Sequence, residues 1–188
     1  MLMGMLAAGG IETLADSVRE PDQDNPRGYH ELEQVKELEH GGDTAWLADA
    51  RGKCVKVISF LLQHLPAGEH YKIVFVRRNL QEVLASQRRM LERRGEPAGD
   101  VGDAEMERMF AAHLEQVERE LAERDNCEVL YVEHRTAIDS PRSVAEHLSR
   151  FLDGRPDVDH MAAAVDPRLY RNRAGSKSAS VGHRDTGG

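Results

Sequence analysis

Residues 71–95 read YKIVFVRRNLQEVLASQRRMLERRG. Ile73-Val74-Phe75-Val76 is a continuous apolar run rather than an alternating one, the pattern of a parallel strand covered on both faces. Two arginines later, Asn79 predicts a helix start, because its side chain can cap and Glu82 three positions on completes a capping-box pattern. Leu80, Val83, Leu84, Gln87 and Leu91 then trace a mostly apolar stripe at helical spacing. A buried strand running straight into an amphipathic helix is a building unit of α/β folds.

The same alternation extends on both sides. Toward the C-terminus, a second long helix is expected from about Asp103 to Glu123, with Met106, Met109, Phe110, Leu114, Val117 and Leu121 inward. Val129-Leu130-Tyr131-Val132 reads as another buried strand, and Ser140 followed by Pro141 as a cap opening a helix with Val144, Leu148 and Phe151 inward. Toward the N-terminus, Cys54-Val55-Lys56-Val57-Ile58 is a β-branched strand and Pro66-Ala67-Gly68 breaks the chain after it. A helical turn is expected around Trp46, a short helix over 29–38 and a surface loop over 11–28. Met1 to Ala8 is built of good helix formers, and Gly9-Gly10 is expected to stop that helix through the left-handed conformation open to glycine. No capping residue precedes this helix, so the sequence enters it already under way. The sum is an α/β domain with a parallel sheet over residues 1–173 and a disordered tail, rich in Gly, Ser and single charges, over 174–188.

Composition narrows the function classes. The 188 residues suffice for one domain, and 25 Lys plus Arg against 33 Asp plus Glu give a net charge of −8. That acidic total argues against a general nucleic-acid binder while leaving room for a local basic pocket. No run approaches the ~20 apolar residues of a membrane span, and no Lys or Arg precedes Arg19, so the start lacks the basic lead of a secretory signal and a cytoplasmic protein is expected. Cys54 and Cys127 each sit beside an apolar run and read as reduced thiols, and nine histidines show no ligand spacing, so no metal site is expected.

Ligands of parallel α/β sheets bind beyond the carboxyl ends of the strands, where helix N-termini present unpaired N–H groups. Arg77 and Arg78, ahead of a helix starting at Asn79, therefore make a candidate phosphate or sulfate site, with Ser86 two turns along the helix. On spacing alone, solvated surface arginines and a small serine that eases helix packing account for the same residues.

The stretch from Met1 to Arg173 resembles a bacterial sulfotransferase family protein of the P-loop nucleotide-binding superfamily. The residues that carry the likeness are MLMGMLAAGGIETLADSVREPDQDNPRGYHELEQVKEL, GKCVKVISFLLQHLP, YKIVFVRRNLQEVLASQRRMLERRG and MAAAVDPRLYRNR. The resemblance implies a three-layer α/β fold, a parallel sheet with helices on both faces. It implies a sulfuryl donor, PAPS, whose 3′-phosphate is bound by a strand-end arginine and a serine eight positions later, here Arg78 and Ser86. The acceptor would be a small molecule carrying a hydroxyl or amine, with no metal. Lys56 matches the lysine of the family's Lys-Thr-His-Leu-Pro motif, with Ile58 in place of its histidine and His64 near Leu65-Pro66. Tyr29 and Glu31 fall on the acceptor side, and Arg171 and Arg173 are in reach of an anion or begin the tail.

The family's Pro-Arg/Lys-Ser-Gly-Thr loop, which cradles the 5′-phosphate, has no counterpart in these residues. Its place is just ahead of the helix at Met1, so the first strand and the phosphate loop are expected to be missing. Sulfuryl transfer builds charge on the leaving phosphate, and cations and N–H donors must meet it there. Without the loop this chain is expected to transfer sulfate poorly or not at all, and to dissolve poorly. Two other readings stay open: a small-molecule kinase of the same superfamily, which would need a Gly-x-x-x-x-Gly-Lys-Ser/Thr loop, and a non-catalytic nucleotide-binding or interaction protein.

Overall fold

The computed structural model describes residues 1–16, 28–95 and 101–169. Within it the opening stretch folds as β3 (Tyr71–Arg77) followed by α3 (Leu80–Arg94), with Asn79 Oδ1 accepting the Glu82 N–H at 3.2 Å. Before them come α1 (Leu2–Ala8), β1 (Thr13–Leu14), a 3-10 helix (Glu33–His40), α2 (Trp46–Ala50), β2 (Cys54–Val55) and a second 3-10 helix (Ser59–His64). After them come α4 (Asp103–Ala122), β4 (Cys127–Glu133), α5 (His134–Asp139), α6 (Pro141–Phe151), α7 (Val158–Ala163) and a last 3-10 turn (Pro167–Leu169). The tail over 174–188, Arg171 and Arg173 lie outside the described residues.

The expected parallel pairing is present but divided. β3 and β4 run parallel in register from Tyr71 opposite Cys127 to Arg77 opposite Glu133, and β1 and β2 pair parallel as Thr13 with Cys54 and Leu14 with Val55. The described residues thus form two two-stranded sheets rather than one continuous sheet. β1 lies inside the stretch expected to be loop, and it explains why β2 is shorter than the β-branched run 54–58: a strand is counted by its ladder, and β1 supplies only two partners. Past Val55 the chain goes over to the 3-10 helix at Ser59.

Side chains alternate across β3 and β4, so the pair feeds two apolar clusters. Phe75, with Ile73 and Val129 against it, joins Leu38, Trp46, Leu62, Val117 and Leu121 on one face. Val132, with Val74 and Leu130 against it, joins Met5, Leu6, Ala145, Leu148 and Met161 on the other. Helices therefore cover both faces of this pair, though unevenly: Val76 and Tyr131 are each 38% exposed.

Three local expectations are corrected. Met109, expected inward on α4, is exposed, because the buried positions of that helix are Val117 and Leu121 in its second half. Ser140 stands at the N-cap of α6 without capping it through its side chain; its N–H closes α5 on the Thr136 carbonyl at 2.8 Å, its carbonyl accepts the Val144 N–H at 3.2 Å, and Pro141 follows as the first helical residue. Gly9 is not left-handed (φ −75°), and only Gly10 is (φ +90°). Gly9 serves a close approach instead: a Cβ there would stand 2.6 Å from Met161 Cγ and 3.0 Å from Pro156 Cβ, while the Gly9 carbonyl accepts the Asp157 N–H at 2.9 Å. Since Met161 is fully buried it has nowhere to retreat. Gly9→Ala is expected to cost about 1–3 kcal/mol of stability by overpacking, measured by urea denaturation, whereas Gly4→Ala, where a Cβ meets nothing, is expected to be neutral or better.

Candidate anion site

Parallel strands in register end together, so the first residue beyond each carries its side chain to one end of the structure. Beyond β3 and β4, which pair in register, these residues are Arg78 and His134, while Lys56 stands just past β2 in the other sheet. The α3 N-terminus opens beside Arg78. An anion approaching there would meet the Arg78 guanidinium and the N–H groups at the start of a 15-residue helix.

Around Arg78, its Nε lies 3.6 Å from Glu82 Oε2, and Glu82 is only 8% exposed. At that separation the pair is an ion pair rather than a hydrogen bond. Asn79 holds the Glu82 backbone while Glu82 holds the guanidinium, so the N-cap also positions Arg78. Ser86 is half-buried on α3, one turn past Glu82 on the same face. No hydrogen bond joins Ser86 to Arg78 among the described residues.

His134 is the second member. Burial first, then the positive charges of Arg78 and the chain's amino terminus, push its pKa down to about 4, against the opposing pull of Glu82. The imidazole is therefore neutral at pH 7.

Arg77 does not take part as expected. Its guanidinium grips Glu118 of α4 with both arms, Nε to Oε1 at 2.9 Å and Nη2 to Oε2 at 2.6 Å, and stacks over the Tyr131 ring at 4.1 Å. That bidentate pair fastens α4 to the strand ends and leaves Arg78 as the strand-end arginine of the site.

Lys56, Tyr29 and Glu31 do come together: Lys56 Nζ donates to the Tyr29 carbonyl at 3.1 Å and to Glu31 Oε1 at 3.2 Å. His30 between them has a left-handed backbone (φ 50°), and its pKa is lowered by burial, then by the amino terminus and Lys56. Tyr29, His30 and Lys56 line a cleft of about 840 Å³ whose lining includes neither Arg78 nor Ser86. His64 ends the second 3-10 helix and has no hydrogen bond to either cluster. Cys54 and Cys127 are free thiols, with burial pushing Cys54 up to about 11.

Sequence reasoning missed His134 altogether and saw in Glu82 only a cap. The available signal was the end of the strand itself: a histidine directly after the run 129–132 and its Glu133 is carried to the same edge as the arginine after 73–77. Among the described residues, no group of three or more His, Cys, Asp or Glu could hold a metal ion, and no helix is long and apolar enough to cross a membrane. No protein-family model matches this chain, and neither a curated protein nor a solved structure matches it.

Proposed function

We propose that the chain is a sulfotransferase-type domain of the P-loop nucleotide-binding superfamily, with Arg78 and Ser86 holding the 3′-phosphate of a PAPS-type sulfuryl donor. The observation that carries this reading is the placement of Arg78, which leaves a parallel strand at the N-terminus of α3, with Ser86 half-buried two turns along the same helix. A guanidinium offers five N–H donors in a fork that suits phosphate oxygens, and the helix N-terminus adds to it. In this reading the α/β body, with helices on both faces of β3–β4, belongs to a three-layer fold. Tyr29 and Glu31, tied to Lys56, stand on the side of a small-molecule hydroxyl or amine acceptor. Because the residues contain no Pro-Arg/Lys-Ser-Gly-Thr stretch, 3′-phosphate binding rather than sulfuryl transfer is what we assign to this chain.

Calorimetry with adenosine 3′,5′-bisphosphate tests the assignment. Arg78→Ala is expected to weaken binding at least about tenfold, since hydrogen bonds to a charged group contribute about 1.5–3 kcal/mol. Arg78→Lys should recover part of the loss, as a point charge without the fork. Equal binding by wild type and Arg78→Ala would remove Arg78 from the site and the reading with it.

A further inference from the structure

α4 buries Val117 and Leu121 on one side, while Glu105, Arg108, Met109, Ala112, Glu115 and Arg119 are all exposed. These six recur at steps of three or four residues, with neighbours at 108–109 between them, so they lie in one stripe along the helix. Met109, 58% exposed, sits within it. Beside the stripe Phe60, 48% exposed, stacks on His113 with ring centroids 3.7 Å apart and meets Phe110 edge-on at 6.4 Å. Large apolar groups left in water among charges have the layout of a contact surface, apolar within and polar at the rim. The opposite side of α4 is fastened to β3 by the two-armed grip of Arg77 on Glu118, so the stripe stands on a held element.

The charges of the stripe have partners within reach on their own helix: Glu105 is three positions before Arg108, and Glu115 four before Arg119. Neither pair closes, and none of these four side chains makes an ion pair or hydrogen bond among the described residues. On α6 a pair at the same four-residue spacing does meet, Arg142 with Glu146 at 3.5 Å. The order of the four is self-complementary. Turned end for end about Ala112, the stripe sets Glu105 opposite Arg119, and Arg108–Met109 opposite Glu115–Gln116. Each carboxylate then faces a guanidinium, and two-fold symmetry makes every such contact twice. Parallel pairing would set Glu105 on Glu105 and Arg119 on Arg119, and moving the centre by one turn undoes both matches. Ala112, the smallest side chain of the stripe, stands where the two helices come closest.

We infer that this face of α4 is the contact of a homodimer, with the α4 of a second copy lying antiparallel across Ala112 on a two-fold axis. A stripe whose charges match its own reverse is complementary to itself, and that selects a second copy over an unrelated partner. The contact also covers Met109 of both copies. Ion pairs this exposed are individually weak, so the dimer is expected near about 100 µM and not at the micromolar concentrations of an unfolding experiment. The inference rests on α4 alone and stands whether or not Arg78 binds a nucleotide.

Sedimentation equilibrium over about 10–300 µM tests it. The wild type is compared with Arg119→Glu, with Glu105→Arg, and with the double variant Glu105→Arg/Arg119→Glu. Each single reversal turns two attractions into two repulsions and is expected to weaken dimerisation at least about tenfold. The double variant sets opposite charges face to face again and is expected to return to within about threefold of the wild type. Raising the salt to about 1 M should weaken the wild-type dimer, since the screening length falls to about 3 Å. Both substituted positions are exposed, so the circular dichroism of the variants is expected to match the wild type. A wild type that stays monomeric up to about 300 µM overturns the inference. So does a dimer indifferent to salt, a single reversal without effect, or a double variant no tighter than the singles. Growth past the dimer would mean a contact that does not close, and would overturn it too.

Discussion

Leu148→Ala is expected to lower the free energy of unfolding by about 2–5 kcal/mol, the range for removing a fully buried leucine side chain and leaving a cavity. Leu148 is 0% exposed on α6, in the cluster that also holds Met5 and Met161 at 0% and Val132 at 5%. That cluster joins α1, β4, α5, α6 and α7, elements drawn from both ends of the described chain. A cavity at its centre is surrounded by helices packed on one another, which limits collapse and favours the upper part of the range. Natural domains are stable by about 5–15 kcal/mol in all, so the loss is a large share of the total. The internal control is Met109→Ala, 58% exposed on α4 and expected to change stability by no more than about 0.5 kcal/mol. Urea denaturation of the three proteins checks both, and a Leu148→Ala loss under about 1 kcal/mol would mean that the α1–α6–α7 packing is not as described.

The elements that proved legible in the sequence are those whose signal is local. The run 73–76 and the Asn79–Glu82 capping pattern each carry their own physical cause, so β3 and α3 could be placed from residues 71–95 alone. β1 could not, because Thr13-Leu14 is a strand only by virtue of Cys54 and Val55 opposite it, and nothing in a polar, turn-rich stretch marks a two-residue ladder. The spacing of Leu32, Val35 and Leu38 predicts a helix over 29–38. The chain there forms a 3-10 helix starting at Glu33, whose pattern of buried Val35 and Leu38 is too short to separate the two periods. Division of the sheet was likewise illegible, since periodicity finds strands but not their order.

The site divides along the same line. Arg78 was legible because a strand end and a helix start flank it in sequence. Arg77, its neighbour, looked equivalent, and only the distant Glu118 on α4 takes it away. His134 has no local motif at all; what makes it part of the site is the register that ends β4 level with β3. Long-range pairing, and not residue type, decided which basic groups share the edge.

A pH dependence of stability is expected from His134. His134 is held neutral by burial, then by Arg78 and the amino terminus, with a pKa of about 4 in the folded state against an ordinary 6.5. The unfolded chain takes up a proton at this residue as pH falls through about 6.5, while the folded chain does not until about 4. Between those values the unfolded state binds more protons, so stability rises with pH across the window and is fully present above 6.5. The loss falls between pH 7 and pH 4, and because His134 is only partly buried, solvent screening keeps it below the full separation of the two values. Carboxylates held low by partners act at the bottom of that window and below it: Glu69, lowered first by the hydrogen bond from Arg51, loses its contribution as pH falls through its ordinary 4.5, and Asp157, lowered first by the His160 N–H, as pH falls below its ordinary 3.8. The upper part of the window, from 6.5 to about 5, is therefore where His134 stands out. His134→Gln keeps a polar side chain and removes the titration, so urea midpoints measured from pH 7.5 to 4 should fall steeply for the wild type and much less for the variant. Parallel curves would show that His134 takes up its proton as readily folded as unfolded, and would separate it from the charge of Arg78.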